Sequence, residues 1–443
     1  MIKLSTMKKI ISFLLLLLFS VCLKAQYNIS NIYSNHNDLN ASRYLPSQLD
    51  LGTKTVQIGL NYYLWMGNNN FSYHDLNRAY QDDDINFLSA NAQKNNLLGV
   101  GQDFQLAGVA FQHNNEGKHY CFGFSIVDKF GMNFRYTKNF LQLALKGNKQ
   151  FAGQKVDLGP VTVNANYLRE YVLSTALPVF GDDQYGLRFG GRLKLIQGLG
   201  NIYMPKGNAS ILTEQNGRYV AMDFDYGIYT SGLTEFSFVK SRGLGTGIDV
   251  GLTYFLNRKL EVSWSINDLG LINYSEDSRS YRKTGSGVYE GLVIDQLFGG
   301  TKENIDSTNA IIDADREEGI EYVVPLGTNM YFNAEYKFFR KRKSGSEATN
   351  SLFLTYVQGF NKQPGASTKP FVSMGYNHHL LPFLNLGILA AAGGYNKFAL
   401  GAFFSLHLKE TLKIGISSDN ITALILPKSG TGIDLGANFS LAF

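Results

Sequence analysis

"GTGIDLGANFSLAF", Gly430 to Phe443, has side chains that alternate strictly. Ile433, Leu435, Ala437, Phe439, Leu441 and Phe443 fall on one face, and Asp434, Gly436, Asn438, Ser440 and Ala442 fall on the other. A period of two with one oily and one small or polar face marks a strand between an apolar and a wet environment. About a dozen residues at barrel tilt cross a bilayer, whereas a strand of a soluble sandwich is usually about half that length. The segment predicts a membrane-crossing strand.

The same alternation recurs upstream. Ile248, Val250, Leu252 and Tyr254 oppose Asp249, Gly251, Thr253 and Phe255, and after "LNRK" Leu260, Val262, Trp264 and Ile266 oppose Glu261, Ser263, Ser265 and Asn267. In "YGLRFGGRLKLI", Leu187, Phe189, Leu193 and Leu195 oppose Arg188, Arg192 and Lys194. Charges on the second face suit a wet lumen better than a dry sandwich core. Short links ("NNEGK", "GDDQ", "LNRK", "HLKETL") alternate with long ones near 67–100, 129–164, 269–325 and 418–430, the arrangement of a barrel with tight turns on one side. The expectation is an all-β fold: a single transmembrane antiparallel β-barrel of about 14 strands, or 16 if the hairpin around Ile211 to Tyr229 joins the wall. "DDDINFLSANAQKNNLL" (Asp82 to Leu98) and "YTKNFLQLALKG" (Tyr136 to Gly147) have helical spacing inside long loops and predict short extracellular helices. Tyr62, Tyr63, Trp65, Tyr254, Trp264 and Phe338 are placed in an aromatic girdle.

Composition agrees. Gly 46, Tyr 26 and Phe 31 are high, Pro 9 is low and charged residues make up 17%. A mean hydropathy of −0.12 excludes a polytopic helical membrane protein. "MKKIISFLLLLLFSVCLKAQ" carries Lys8 and Lys9, an apolar run and a Leu-Lys-Ala ending, which predicts a signal peptide over 1–25. Cys22 falls in that segment behind the bulky Val21, so lipidation is not expected, and Cys121 is left as the mature chain's one cysteine. Polar, Asn-rich residues 26–54 precede the first convincing strand and are placed inside the barrel, whose wall runs over 55–443. A formal charge of +5, part of it in the signal segment and in "FFRKRKSG", is no nucleic-acid signature.

A glycine-rich run followed by an acid could cradle phosphate, and "GTGID" occurs twice, at Gly245 to Asp249 and Gly430 to Asp434. A phosphate loop needs its glycines to open a helix whose N-terminal amides meet the anion. Both copies instead run into period-two strands and lack the Lys-Ser/Thr that would follow. Gly245, Gly247 and Asp249, like Gly430, Gly432 and Asp434, are therefore read as points where the chain leaves a long outer loop and begins a wall strand. Both aspartates then face the lumen below the rim, and "INDLGLI" (Ile266 to Ile272) and "SSDNITALI" (Ser417 to Ile425) are the neighbouring strand ends.

Glu170, Arg188, Arg192, Lys194 and Glu261 are expected to point inward, either as a salt-bridge network that stiffens the barrel or as a polar constriction. The chain has no Gly-x-Ser-x-Gly, Walker or His-Glu-x-x-His motif, and alternation sends His378 and His379 to opposite faces. No catalytic residue, cofactor or metal is assigned; "DADREEG" (Asp313 to Gly319) fails calcium-loop spacing.

"YLREYVLSTALPV" (Tyr167 to Val179), "GGRLKLIQGLGNIY" (Gly190 to Tyr203), "GTGIDVGLTYFLNRKLEVSWSINDLGLINY" (Gly245 to Tyr274) and "SSDNITALILPKSGTGIDLGANF" (Ser417 to Phe439) resemble a family of Bacteroidota outer-membrane barrels catalogued as a domain of unknown function. That family is distantly similar to FadL-type transporters of hydrophobic compounds and to PorV-like barrels of the type 9 secretion apparatus. "LNASRYLP" (Leu39 to Pro46) is only an approximate counterpart of the Asn-Pro-Ala of FadL-type barrels, so neither their hatch nor fatty-acid uptake follows. The resemblance implies outer-membrane lipid as surroundings. Phe439, Leu441 and Phe443 resemble the signal read by the barrel assembly machinery. Two functions remain open: a passive transporter or channel for small or hydrophobic solutes, and a non-transporting scaffold with a protein partner in a secretion or uptake complex.

Overall fold

The computed structural model describes residues 27–34, 38–81, 85–182, 185–289, 314–341, 347–394, 396–408 and 411–443. The expected signal peptide lies outside them, as does the Lys-Glu turn of "HLKETL". One antiparallel sheet contains every described strand. Seven strands of its wall are β1 (Val56–Asn68), β2 (Asn95–Asn115), β3 (Lys118–Thr137), β5 (Thr162–Gly181), β6 (Gly186–Thr213), β8 (Gly243–Asn257) and β9 (Leu260–Tyr274). The other seven are β13 (Asn329–Lys341), β14 (Glu347–Gly359), β15 (Phe371–Leu381), β16 (Leu384–Gly393), β17 (Asn396–Leu408), β18 (Leu412–Ser418) and β19 (Gly432–Ala442). β4 (Lys155–Asp157), β7 (Val220–Ser231), β10 (Ser278–Tyr289), β11 (Asp315–Glu318) and β12 (Tyr322–Pro325) are additions in the long loops.

A membrane-spanning sheet must satisfy every backbone group internally, which forces closure. Here β1 pairs with β19 from Gln57–Ala442 to Gly67–Gly432, leaving no edge in a 14-strand wall. The 16-strand alternative is excluded by the partners of β6. Its first half, Gly186 to Gly198, pairs with β8, and its second half, Asn201 to Thr213, pairs with β7. β7 pairs in turn with β10, so the hairpin around Ile211 to Tyr229 extends the sheet in the outer loops and adds nothing to the wall.

Alternation decides what meets lipid. Leu173, Leu193, Leu195, Leu252, Leu354 and Ile388 are exposed on the outward face, an apolar belt no soluble monomer sustains. Leu435 and Phe439 continue it, Leu441 is half-buried, Phe443 is exposed and Ile433 is buried. The girdle assignment fails for Tyr63 and Trp65, which are 2% and 5% exposed and turn into the lumen, because they share the inward parity of Asn61.

In the loops, helices span Tyr73–Gln81, Ile85–Asn91 and Lys138–Lys146. Thr137 caps the last, accepting from the Phe140 N–H at 3.1 Å. Of the stretch Asp82 to Leu98, the described residues 85–98 are helical only over Ile85–Asn91, since Asn95 already begins β2. The helix Tyr73–Gln81 was not expected, although Ser72 and Asp75 exchange backbone bonds of 2.9 and 3.1 Å as a reciprocal cap. That Ser-x-x-Asp was its legible signal.

Candidate functional site

The luminal faces of the strands carry small and polar residues and cannot pack a core alone. Residues 27–34 and 38–51, which lie before β1, fill that space and are buried almost throughout. They are tied all round the wall. Asp419, after β18, accepts from the N–H of Ile29 (2.5 Å) and Ser30 (2.6 Å). Tyr33 stacks on Phe353 of β14 with ring centroids 3.5 Å apart. Gln57 of β1 accepts from Leu39 N–H at 3.0 Å. Ser265 and Asn267 of β9 donate to the Tyr44 carbonyl at 2.7 and 2.8 Å. A Cβ at Gly190 of β6 would stand 2.1 Å from the Ser47 nitrogen, so the chain crosses that strand where only glycine admits it.

The five inward charges expected from alternation are all buried, but they join two different groups. Toward the short-turn end, Arg188 pairs with Asp50 of the luminal segment at 2.5 Å, and His119 also meets Asp50 at 3.0 Å. These contacts hold the Asp50 carboxyl below its usual range despite burial. Glu261 pairs with Lys337 at 2.6 Å and accepts from Gln48 at 3.1 Å. Higher up, Glu170 takes Lys129 at 2.9 Å, Arg192 meets Asp249 at 3.0 Å, and Lys194 lies 2.7 Å from Asp249 and 2.5 Å from Asp268.

Both copies of the repeated motif serve this inner surface. Asp249 and Asp434 face inward, and each accepts from the backbone N–H of an aspartate on the adjoining segment: Asp249 from Asp268 at 2.7 Å, Asp434 from Asp419 at 2.8 Å. Gly432 begins β19 and Gly430 stands just before it. Gly245 and Gly247 correct the expectation, for they lie inside β8, which already starts at Gly243. Their lack of a side chain admits the β9 backbone and Leu326: a Cβ would sit 2.5 Å from the Leu271 carbonyl oxygen or 3.0 Å from a Leu326 methyl. Asp268 has φ 58° and stands where the β8–β9 register shifts. That bulge puts Asn267 and Asp268 on the same side, which strict alternation forbids.

Above the luminal segment lies an open-mouthed chamber with about 860 Å³ of empty space, solvent at its mouth included. Its charged border is Arg43, Asp103, Lys129, Glu170, Arg192 and Asp268, with Tyr44, Tyr63, Trp65 and Tyr331 as rings. Arg43, carried by the luminal segment, reaches Asp103 of β2 at 2.9 Å. From the outside the β14–β15 loop folds over the chamber. Asn133 of β3 donates to the Gln363 carbonyl at 3.0 Å, and Asn329 of β13 to that of Gly365 at 3.0 Å. Ion pairs of both signs around one space can orient a polar or zwitterionic guest and offer little to a hydrocarbon.

A model of the Family of unknown function (DUF5723) matches residues 53–419, more than half of the chain. The chain belongs to that family. No curated protein matches. Among solved structures it is similar to the Pseudomonas putida toluene transporter TodX, at 10% identity and a TM-score of 0.41 over 93% of this chain and 95% of that one. It is also similar to the β domain of the Bordetella autotransporter BrkA, at 10% identity and a TM-score of 0.32 over 88% and 100%. Outer-membrane protease OmpT from Escherichia coli follows at 8% identity and a TM-score of 0.23 over 88% and 97%. Similarity this low assigns no function.

The DUF5723 match contains the whole charged wall of the chamber, and the luminal segment precedes it. Alternation found Glu170, Arg192, Lys194 and Asp249. It missed Lys129, which falls at the start of the long link 129–164 although β3 keeps its alternation to Thr137, and Asp103, because β2 shifts register between Gln105 and Ala107. His378 and His379 do take opposite faces: His378 meets the Tyr376 hydroxyl at 3.2 Å, and the His379 ring lies 6.4 Å from that of His407.

Proposed function

We propose that this protein is an outer-membrane barrel that admits a small polar solute into its luminal chamber and passes it on only when the N-terminal segment moves. The observation that carries this reading is the position of residues 27–34 and 38–51, which cross the lumen beneath an open-mouthed chamber partly covered by the β14–β15 loop. The segment is held by hydrogen bonds and ion pairs, whose net contributions are small singly, so rearrangement is accessible. The mixed charge of the chamber favours a polar solute over the hydrophobic one the family resemblance suggested.

A cysteine pair tests the gate. Ser47 and Thr253 have hydroxyls 2.8 Å apart, close enough for a disulfide between Ser47→Cys and Thr253→Cys. In liposomes the oxidised double variant should pass no small polar solute, and reduction should restore passage. Equal flux in both states would remove the segment as gate. The second reading is a scaffold with a protein partner, which exposed Phe236, Phe238 and Val239 in the loop before β8 would suit if that loop stands clear of the bilayer. No flux in either state, with a stoichiometric protein retained in mild detergent, would support it.

A further inference from the structure

Apart from the Tyr44 hydroxyl, five polar atoms on residues bordering the chamber are buried and have no hydrogen-bond partner among the described residues: Nη1 of Arg43, Nε of Arg192, Oε2 of Glu170, and Oδ1 of Asn267 and Asn329. All five residues are more than nine-tenths buried. Native interiors rarely leave such groups unmet, so five around one space point to something outside the chain that completes them. Their roles are fixed by what their sister atoms do. Asn267 Nδ2 donates to the Tyr44 carbonyl at 2.8 Å, and Asn329 Nδ2 donates to the carbonyls of Gly327 (2.8 Å) and Gly365 (3.0 Å), so each amide has its oxygen left over. The other Glu170 oxygen takes Lys129 at 2.9 Å, while Arg43 Nη2 and Arg192 Nη1 are engaged on Asp103 and Asp249.

The free atoms sort by chemistry. Asn267 and Asn329 are directly opposite in the β9–β13 ladder, both facing inward, so their oxygens are cross-strand neighbours. Asn267 adjoins Asp268, and Lys129 links Asp268 (3.4 Å) to Glu170 (2.9 Å). Three acceptors, one of them anionic, thus come from β5, β9 and β13, strands that flank the β6–β8 pair. The two donors come from the luminal segment and β6, and Arg192 Nη1 also donates to the Arg43 carbonyl at 3.2 Å. Aromatic rings border the same space, with Tyr44 and Tyr331 6.0 Å apart, and such rings attract cations and flat groups on their faces.

We propose that the chamber binds a small amphoteric molecule of the α-amino acid or short-peptide class, its ammonium on Glu170, Asn267 and Asn329 and its carboxylate on Arg43 and Arg192. This rests on the chamber being a solute site. A hydrocarbon would leave all five atoms unmet, a simple amine would leave the two donors, and a simple acid the three acceptors. A site built to hydrogen-bond a group discriminates steeply against an analogue that lacks it.

Isothermal titration of the full-length protein in detergent provides the test, with L-phenylalanine, glycyl-phenylalanine, phenethylamine, 3-phenylpropionate and toluene as probes. At least one amphoteric probe should bind, and the amine, the acid and toluene at least tenfold more weakly. Glu170→Gln and, separately, Asn329→Leu should each weaken that binding about tenfold, with the heat-dependent gel shift reporting that the barrel is intact. If Glu170→Gln does not fold, Asn329→Leu and the probe series on the unaltered protein still decide. Half-molecules that bind as tightly as the amphoteric probes, or no amphoteric binding at all, would overturn the proposal. If no probe binds yet flux follows the redox state of the Ser47→Cys/Thr253→Cys variant, the ligand class fails and the gate stands; binding without gated flux fails the gate alone.

Discussion

Asp38 shows how one residue of the luminal segment sets a pH dependence. Its Oδ1 accepts from the backbone N–H of Asn40 at 2.8 Å and of Ala41 at 2.9 Å. Burial nonetheless pushes its carboxyl up to about 6, against the opposing pull of Lys413 and those bonds. The folded protein therefore binds more protons than the unfolded chain between the usual carboxylate range and pH 6, and stability falls as pH rises through that window. About two pK units correspond to about 3 kcal/mol. Asp38→Asn keeps the acceptor and removes the charge, so the heat-shift midpoint of the purified barrel should fall less steeply from pH 4 to 6 than that of the unaltered protein and lie higher at pH 8. A slope that survives the substitution unchanged would place its source elsewhere. Asp249 of β8 is the shared anion of Arg192 and Lys194. Asp249→Leu leaves the buried Arg192 without its carboxylate, while Lys194 keeps Asp268, and should cost about 3–5 kcal/mol, read as a lower midpoint on the same gel. The inward parity of Asp249, Arg192 and Lys194 could be read directly from the sequence. Asp268 could not be read that way, because it follows the inward-facing Asn267 and alternation sends it to lipid. Only the bulge at its positive φ brings it inside.

The loop of residues 232–242, between β7 and β8, lies against the outer wall. Phe236 stacks on Tyr167 of β5 at 5.9 Å, Phe238 meets the same ring edge-on at 5.9 Å, and the two phenylalanines are 4.9 Å apart at 87°. Tyr167 faces outward beside the Asp128–Arg169 ion pair, whose bonds measure 2.7 and 2.8 Å, at the upper limit of the apolar belt. Phe238 and Val239 remain 62% and 78% exposed there, where amphipathic rings settle at the headgroup level. Phe238→Trp in liposomes should be quenched by lipids brominated near the headgroup end of the acyl chain, and less by lipids brominated at the tail end. Fluorescence indifferent to both would mean that the loop stands clear of the bilayer. No periodicity announces this element, because its position depends on a ring contributed by a strand far back in the sequence.

For the whole molecule, the barrel was legible because closure constrains every wall strand to the same period and turns of two lengths give the direction. The strand number was less so. β6 runs 28 residues, and nothing local in "GNIYMPKGNASILT" says where the wall ends and the loop hairpin begins. That depends on which partner each half finds: β8 for the first, β7 for the second. The chamber was harder still, since Arg43 comes from the luminal segment, Asp268 from a bulge and Asp103 from a strand whose register shifts. The division of β6 has a measurable consequence. Amides of the 14-strand wall are locked in a closed ladder under lipid, whereas β7 and β10 pair with each other and with the outer half of β6 in the extracellular loops, where local opening is less costly. Hydrogen exchange of the protein in liposomes should show peptides from β7 and β10 exchanging at least about tenfold faster than peptides from β5 and β8. Peptides from Asn201 to Thr213 should exchange like β7, and those from Gly186 to Gly198 like β8. Equal protection along all of β6 and β7 would put the hairpin in the membrane and restore the 16-strand wall.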